Sequence, residues 1–395
     1  MFAVRVQVGR PLAPFGDSVG DVPVLNRALH ECQALALVEA GFTLSETAPA
    51  SGEYLCYGDC TWFTADLLRR FAAGGPGRLR VDDGDFLRET GPLQPERGRY
   101  FLEIRESGRP AGFDGVDRTL DLGLRHTPPQ VTHPAFAHAI RGSVALGPSL
   151  VHELWHWSHI TRVNLLALAA EAERARADWE RGGIFARLGM LLPVLWRARS
   201  VQPAALARAL LPIPKSARIH PTAVVEACII GEGVEIGPFA CVRGSVLGEG
   251  CKVDAYANVN LSVIGPKGQA GRGAMINLCV LYAGAFVSAG GGFQMCVFGR
   301  DSFVAMTATM LDLSFGRTIH VDTPEGRMDT EGYFLGSALG HRAKIGAGVR
   351  IGYGVAVPND VLLVAPTGDL VRKIIQGEPG QALSATDGVA RAKQG

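Results

Sequence analysis

The sequence predicts two kinds of structure in one chain, an α/β layered domain followed by a parallel β-helix built from hexapeptide repeats. Two observations support this prediction. Strand-like and helix-like segments alternate over residues 1–164, and an apolar residue recurs every 17 positions between residues 219 and 361. The recurring residues are Ile230, Leu247, Ile264, Leu281, Phe298 and Phe315, and Gly follows each of them except Leu281, which precedes Tyr282.

The spacing of the apolar residues indicates a three-sided coil. They step by six, six and five within each period, and by six without exception from Leu339 to Leu363. Each short strand then turns one apolar side chain inward, and Gly, Asn or Asp at the corners adopts positive φ without a Cβ clash. Coils stack at about 4.8 Å, so Cys279 and Cys296, which lie 17 residues apart, are predicted to stack inside the prism. A disordered Gly-rich segment would not keep this register.

The elements of the first part alternate in the order expected of an α/β domain. Strands are predicted at residues 3–8, 53–57, 78–81 and 100–106, and helices at residues 24–40, 64–73 and 164–181. The predicted division of the chain is an α/β domain at 1–164, a helical linker at 165–213, the β-helix at 214–365 and a flexible tail at 366–395.

Composition narrows the class of protein. The net charge is +1, which indicates neither nucleic acid binding nor a preference for anionic membranes. The eight cysteines show no CxxC spacing, and the first residues lack a signal-peptide run, so we expect a cytoplasmic protein with reduced cysteines. The apolar run at residues 188–196 is far shorter than the ~20 residues that span a bilayer, and it predicts a buried helix.

Four short segments carry a resemblance to known enzymes. They are Leu55-Cys56-Tyr57-Gly58-Asp59, Arg162-Val163-Asn164, Gly237-Pro238-Phe239-Ala240-Cys241-Val242-Arg243 and Phe298-Gly299-Arg300-Asp301-Ser302-Phe303-Val304. With the repeat, they resemble the bifunctional N-acetylglucosamine-1-phosphate uridyltransferase and glucosamine-1-phosphate acetyltransferase family, and more broadly sugar-nucleotide pyrophosphorylases with a C-terminal left-handed β-helix. The resemblance implies a nucleotidyltransferase-like, Rossmann-like first domain, a homotrimer, and a place in nucleotide-sugar or cell-envelope polysaccharide metabolism.

The same resemblance implies a substrate site in the first domain. Asp59 and Asn164 would bind Mg²⁺, and Gly9 and Arg10 stand where the family has its Gly-rich phosphate loop. This loop has a single Gly here, and its prolines donate no N–H to a phosphate. We therefore expect a nucleotide sugar or sugar phosphate to bind without reacting, and an active sugar-1-phosphate nucleotidyltransferase is an alternative.

A second predicted site lies in the β-helix. Arg243 resembles the family's phosphate-binding arginine, and Asn277 stands where the family has its catalytic histidine, as a substrate contact that cannot act as a base. His341 lies four residues before the apolar Ile345, as in UDP-N-acetylglucosamine acyltransferases and sugar N-acetyltransferases. It is the candidate base for acyl transfer from acetyl-CoA or another acyl-CoA, and a solvent-facing corner residue is the alternative. Residues 317–333 interrupt the repeat, and residues 318–331 within them form a candidate lid.

One motif points to another class of protein. His152-Glu153-Leu154-Trp155-His156 fits the H-E-x-x-H pattern, in which two histidines on one helix face bind zinc and the glutamate is the base. No further zincin motif follows, so we expect core or surface histidines and no zinc, with a zinc hydrolase as a remote alternative. The predicted function is a hexapeptide-repeat acyltransferase with a nucleotide-sugar-binding first domain, and a catalytically inactive binding or scaffold protein is the main alternative.

Overall fold

The structure is a computed structural model that describes residues 1–127, 144–181 and 213–365, and the backbone of three short strands near the end of the chain. Residues 182–212 of the predicted linker, including the apolar run at 188–196, lie outside the described residues. Within the described part of the chain, no helix is long and apolar enough to cross a membrane.

The first domain is built on a mixed six-stranded, Rossmann-like sheet. The strands of this domain are β1 (Phe2–Val6), β2 (Pro23–Val24), β3 (Arg27–Ala28), β4 (Thr43–Ser45), β5 (Glu53–Gly58), β6 (Thr61–Phe63), β7 (Gly77–Arg80), β8 (Arg99–Glu106), β9 (Asp117–Thr119), β10 (Arg125–Thr127), β11 (Val144–Leu146) and β12 (Val151–Glu153). Its helices are α1 (Leu29–Glu39), α2 (Ala65–Ala72), α3 (Gly84–Thr90) and α4 (Ser158–Arg181), with a 3-10 turn at Val19–Asp21. The sheet order is β4-β1-β5-β8-β7-β9, in which β1 is parallel to β4 and β5.

Local sequence explains where the short helices begin. The Thr64 hydroxyl accepts the N–H of Leu67 at 3.4 Å ahead of α2, and the Asp83 carboxylate accepts the N–H of Phe86 at 3.0 Å ahead of α3. These side chains satisfy N–H groups that have no partner within the helix. The apolar sides of α1 and α2 are buried in one core with β1, β5 and β8, which confirms the predicted α/β layering.

The helix predicted at residues 24–40 forms only from Leu29 onward. Leu25 and Asn26 have φ of 49° and 66° and make the turn of a hairpin between β2 and β3. Two successive residues in the left-handed region cannot continue a right-handed helix. The prediction was therefore wrong for the first five residues of that segment.

The β-helix has three faces of parallel strands. The first face holds Arg218–Ile219, Glu235–Ile236, Lys252–Val253, Gln269–Ala270, Phe286–Val287, Phe303–Val304, Lys344–Ile345 and Leu362–Leu363. The second holds Val224–Glu226, Cys241–Arg243, Asn258–Asn260, Met275–Asn277 and Gly292–Gln294, and the third holds Ile229–Ile230, Val246–Leu247, Val263–Ile264, Val280–Leu281, Val297–Phe298, Ala338–Leu339 and Ala356–Val357. A further pair joins Thr309–Met310 to Arg350–Ile351.

Stacking at 17 residues is confirmed by the strand register. Ile230 pairs with Leu247, and Leu247 pairs with Ile264, all three buried in the interior of the prism. The N–H of Cys296 lies 3.4 Å from the Cys279 sulfur, so the two cysteines stack as predicted. Identical geometry in successive coils explains this result, because every inward residue rests on its equivalent one coil away.

The repeat is interrupted where the sequence still suggests that it continues. Phe315 is 70 % exposed. The residue that pairs with Phe298 in the next coil is Leu339 instead. The intervening chain leaves the prism as a hairpin of His320–Thr323 and Gly326–Asp329, here called the hairpin. Assigning Phe315 as the next interior residue was therefore wrong, because a Phe-Gly pair satisfies the pattern without occupying the interior.

The first domain packs directly on the third face of the β-helix. Outward residues of that face and of the hairpin belong to the same apolar core as α4 and the sheet of the first domain; they are Val246, Val263, Val280, Tyr282, Val297, Ala338, Ile319 and Val321. The helix α4 also continues across the boundary predicted at residue 164 and packs within this core. One apolar core thus joins the two parts of the chain.

The predicted flexible tail lies largely outside the described residues. Three short strands, Lys373–Ile374, Leu383–Thr386 and Val389–Ala392, pair with each other in a small sheet. The tail therefore contains regular backbone where the sequence suggested only a loose segment.

Candidate functional site

The carboxyl ends of β1 and β5 define the first candidate site. These neighbouring parallel strands lead into Val8, Gly9 and Arg10 on one side and into Asp59 on the other. The chain leaves β1 toward β4 and returns to β5 on the opposite side of β1, so the strand order reverses at this edge. In open α/β sheets, ligands bind in the crevice at such a reversal.

Asp59 accepts hydrogen bonds from backbone N–H groups at this edge. One of its carboxylate oxygens accepts the N–H groups of Val8 at 2.9 Å and of Gly9 at 2.7 Å. A Cβ on Gly9 would lie 2.5 Å from a Val19 methyl carbon and 2.9 Å from the Cys60 Cβ, so only glycine fits. The two N–H groups that a phosphate loop would offer to a ligand are therefore occupied by the protein's own carboxylate.

Asn164, the second predicted Mg²⁺ ligand, also binds backbone. Its side-chain oxygen accepts the N–H of Leu25 at 2.8 Å, and its amide nitrogen donates to the carbonyls of Pro23 at 2.9 Å and Ile160 at 2.8 Å. The residue thereby fastens the β2–β3 hairpin to α4. No group of three or more His, Cys, Asp or Glu residues in the described ranges could hold a metal ion, and the hydrogen bonds of Asn164 disfavour the Mg²⁺ prediction.

The loop between β1 and β2 packs as an apolar segment. Leu12, Phe15, Val19 and Val22 are all buried in the shared core, where the resembled enzymes have a glycine-rich loop. Its apolar side chains reach from the sheet to the β-helix. The segment predicted to bind phosphate therefore connects the two parts of the chain.

Two ion pairs join the predicted lid to the first domain. The guanidinium of Arg10 binds both carboxylate oxygens of Glu325 at the tip of the hairpin, with the second contact at 3.0 Å. Arg97 binds Glu331 at 2.7 Å. The hairpin therefore covers the carboxyl edge of the sheet in its own chain.

His341 is buried between the two parts of the chain, with 3 % of its surface exposed. Its Nδ1 accepts the N–H of Arg300 at 2.8 Å, so Nε2 carries the proton and donates to the Asp17 carboxylate at 2.9 Å. Asn359 accepts the N–H of His341 at 2.7 Å and donates to the carbonyl of Phe15 at 2.8 Å. Neither the exposed corner nor the free base predicted for His341 matches this environment, because both ring nitrogens are engaged.

Asp17, Arg300 and His341 together form what we call the interdomain lock. Arg300 donates to both oxygens of Asp17, at 2.9 Å and 2.6 Å. Burial alone would raise the pKa of Asp17, but the hydrogen bonds from Arg300 and His341 outweigh it and lower that pKa. Burial lowers the pKa of His341 despite the opposing effect of Asp17. The histidine is therefore neutral and the carboxylate ionised near neutral pH.

Tyr282 completes the surroundings of the lock. Its ring stacks on Phe15 at 5.2 Å and meets the His341 ring at 5.5 Å. The hydroxyl is buried and has no hydrogen-bond partner among the residues that the structure describes, and burial raises its pKa. Tyr282 is also the one residue that replaces Gly in the 17-residue pattern, so the break in the pattern signals the docking position. No sequence signal identifies Asp17.

Arg243 and Asn277 lie on the second face, away from the lock. They belong to a column of outward residues, Glu226, Arg243, Asn260, Asn277 and Gln294, paired one coil apart. Arg243 binds Glu226 at 2.8 Å, and Asn260 donates to Asn277 at 2.9 Å. The predicted substrate contacts of the β-helix therefore stand near each other but not beside His341.

The H-E-x-x-H segment does not form one helix. His152 and Glu153 end β12, and α4 begins only at Ser158, after His156. Glu153 accepts the N–H groups of Phe101 at 2.5 Å and of the Trp155 indole at 3.0 Å, and burial raises its pKa to about 7. Histidines at this spacing share a face only on a helix, so the geometry behind the zinc hydrolase alternative is absent here.

No protein-family model matches this sequence, and no curated protein matches it either.

Proposed function

We propose that this protein binds a nucleotide sugar or sugar phosphate at the carboxyl edge of its first domain without catalysing its transfer. The observation that carries the proposal is the engagement of Asp59, whose carboxylate already holds the N–H groups of Val8 and Gly9. Nucleotidyl transfer needs such donors and a cation around the phosphates. The crevice and Arg10 remain, and they support binding.

The same proposal includes a left-handed β-helix, a homotrimer and a cytoplasmic location, which the resemblance supports. Mg²⁺ would be bound through Asp59 together with substrate phosphates, since this ion needs few protein ligands. No zinc is expected in the protein.

Binding and turnover can be separated by one pair of measurements. Calorimetric titration with UDP-sugars should give saturable heat, while coupled detection of pyrophosphate from UTP and sugar 1-phosphate should give no product. Saturable binding without turnover supports the proposal. Pyrophosphate release that disappears in Asp59→Ala would replace it with active nucleotidyl transfer.

Acyl transfer at His341 is a second candidate, favoured by the pairing of its imidazole with Asp17 at 2.9 Å. A carboxylate on one ring nitrogen strengthens the other as a base. The N–H of Arg300 must first leave Nδ1, and since Arg300 and His341 both belong to the β-helix, this reaction requires a local rearrangement of the chain at Arg300 while Asp17 stays in place. Thiol release from acetyl-CoA with amino-sugar acceptors tests it, and activity that falls about 100-fold in His341→Ala would establish it.

A further inference from the structure

The carboxyl edge contains a cationic side chain whose present carboxylate partner can be replaced by a ligand. Arg10 follows β1 directly, and its guanidinium pairs with Glu325, which is contributed by the hairpin. Both side chains are partly exposed, at 36 % for Arg10 and 56 % for Glu325. An exposed ion pair contributes little to stability, so an anion entering the crevice can replace this carboxylate.

A buried histidine lies near the same edge, because the N–H of Leu154, two residues before His156, donates to the carbonyl of Cys60, the residue after Asp59, at 3.0 Å. His156 is 6 % exposed, and its Nδ1 accepts the N–H of Ser158 at 3.3 Å and lies 2.8 Å from the Ser158 hydroxyl, which can also donate to it. The proton therefore sits on Nε2, which is buried and has no hydrogen-bond partner among the described residues. The charge of Arg10 acts on this ring and, with burial as the larger cause, lowers the pKa of His156 to about 4. A buried N–H without an acceptor is unfavourable, and a ligand oxygen would remove that cost.

The opposing charge at this edge is that of Asp59. Its Oδ1 accepts the N–H groups of Val8 and Gly9, so these two donors are not available to a ligand. Side-chain donors therefore gain importance for a bound anion, and Arg10 and His156 offer two. This arrangement differs from a phosphate loop, in which backbone N–H groups carry the binding.

We propose that the crevice binds a phosphate-bearing anion through the Arg10 guanidinium and the Nε2–H of His156, and that Glu325 is the internal carboxylate which this anion displaces. The inference rests on the proposed function and specifies its binding groups. It also gives the hairpin a role, because displacement of Glu325 releases the hairpin tip from the crevice.

The direct test is calorimetric titration of the full chain with inorganic pyrophosphate, UDP and a hexose 1-phosphate. Arg10→Gln should weaken binding of all three about tenfold or more, the scale of a charge-assisted hydrogen bond. Glu325→Gln should tighten binding about two- to fivefold, because the competing carboxylate is gone. Glu331→Gln removes the carboxylate that follows the hairpin and pairs with Arg97, and should leave affinity unchanged.

His156→Phe tests the buried donor, with circular dichroism to verify the fold. We expect about a fivefold loss of affinity, the scale of one hydrogen bond; if this variant unfolds, the Arg10 and Glu325 variants decide alone. Equal affinities of the wild type, Arg10→Gln and Glu325→Gln would overturn the inference. If UDP-sugar still binds while Arg10→Gln has no effect, only the inference fails. If neither pyrophosphate nor any UDP-sugar binds, the proposed function fails with it.

Discussion

Replacing Asp17 with asparagine should weaken the docking of the first domain on the β-helix. The Asp17 carboxylate accepts hydrogen bonds from Arg300 and from Nε2–H of His341, and all of these groups are donors. The amide of an asparagine must turn its own NH₂ group toward one of them. Since Nδ1 of His341 is fixed by the N–H of Arg300 at 2.8 Å, the imidazole cannot change tautomer to compensate.

The size of the effect follows from burial. The His341 side chain is 3 % exposed, and a hydrogen bond between such a group and a carboxylate contributes about 1.5 kcal/mol or more. Arg300 is 42 % exposed, so solvent screening limits its pair with Asp17 to about 0–1 kcal/mol. We therefore expect the free energy of unfolding of Asp17→Asn to fall by about 2 kcal/mol.

Urea denaturation followed by far-ultraviolet circular dichroism at pH 7 measures this difference. Asp360→Asn is the matched control, because its partner Arg342 and Asp360 itself are both exposed on the β-helix, and its urea midpoint should not change. A loss below about 0.5 kcal/mol in Asp17→Asn, the usual range of surface substitutions, would refute the argument that the lock is a stabilising contact.

Three further predictions concern stability and assembly. Tyr282→Phe should keep or raise the urea midpoint, because it removes a buried hydroxyl to which the described part of the chain offers no partner; a clear loss of stability would mean that the hydroxyl is bonded in solution. Acidification from pH 7 to pH 5 should lower the free energy of unfolding by about 2 kcal/mol. Burial raises the pKa of Glu153 to about 7, which favours the folded state by about 2 kcal/mol over this range. The histidines outweigh it with about 4 kcal/mol together, because burial lowers the pKa of His156 to about 4 and of His159 to about 3. The sign follows from their unfolded pKa near 6.5: the unfolded chain binds protons that the folded chain excludes, so stability decreases below that pH, and a flat profile would contradict it. The protein should form a trimer through the first or second face of the β-helix, since the third is covered by its own first domain; light scattering that gives one chain per particle would exclude this.

The β-helix could be predicted from the sequence because its contacts repeat locally. Residues such as Ile230 and Leu247 pair one coil apart, so a short segment already contains the pattern that determines its own stacking. The α/β layering of the first domain could be predicted for a similar reason, from the alternation of strands and helices. The false interior residue Phe315 shows the limit, because a pattern records which residues are compatible with a coil and not where the chain leaves it.

The candidate site was decided by tertiary structure. His341 and Asp17 are 324 residues apart, and nothing near either residue indicates that they meet. His152 and His156 have helical spacing, yet pairing of β12 with β6 places the first of them in a strand. Asp59 could be recognised from the sequence as a residue at the end of a strand. What its carboxylate binds depends on which backbone N–H groups the folded chain places next to it. Repeated local contacts can be read from a sequence, whereas contacts between distant segments are fixed only when the apolar core brings those segments together.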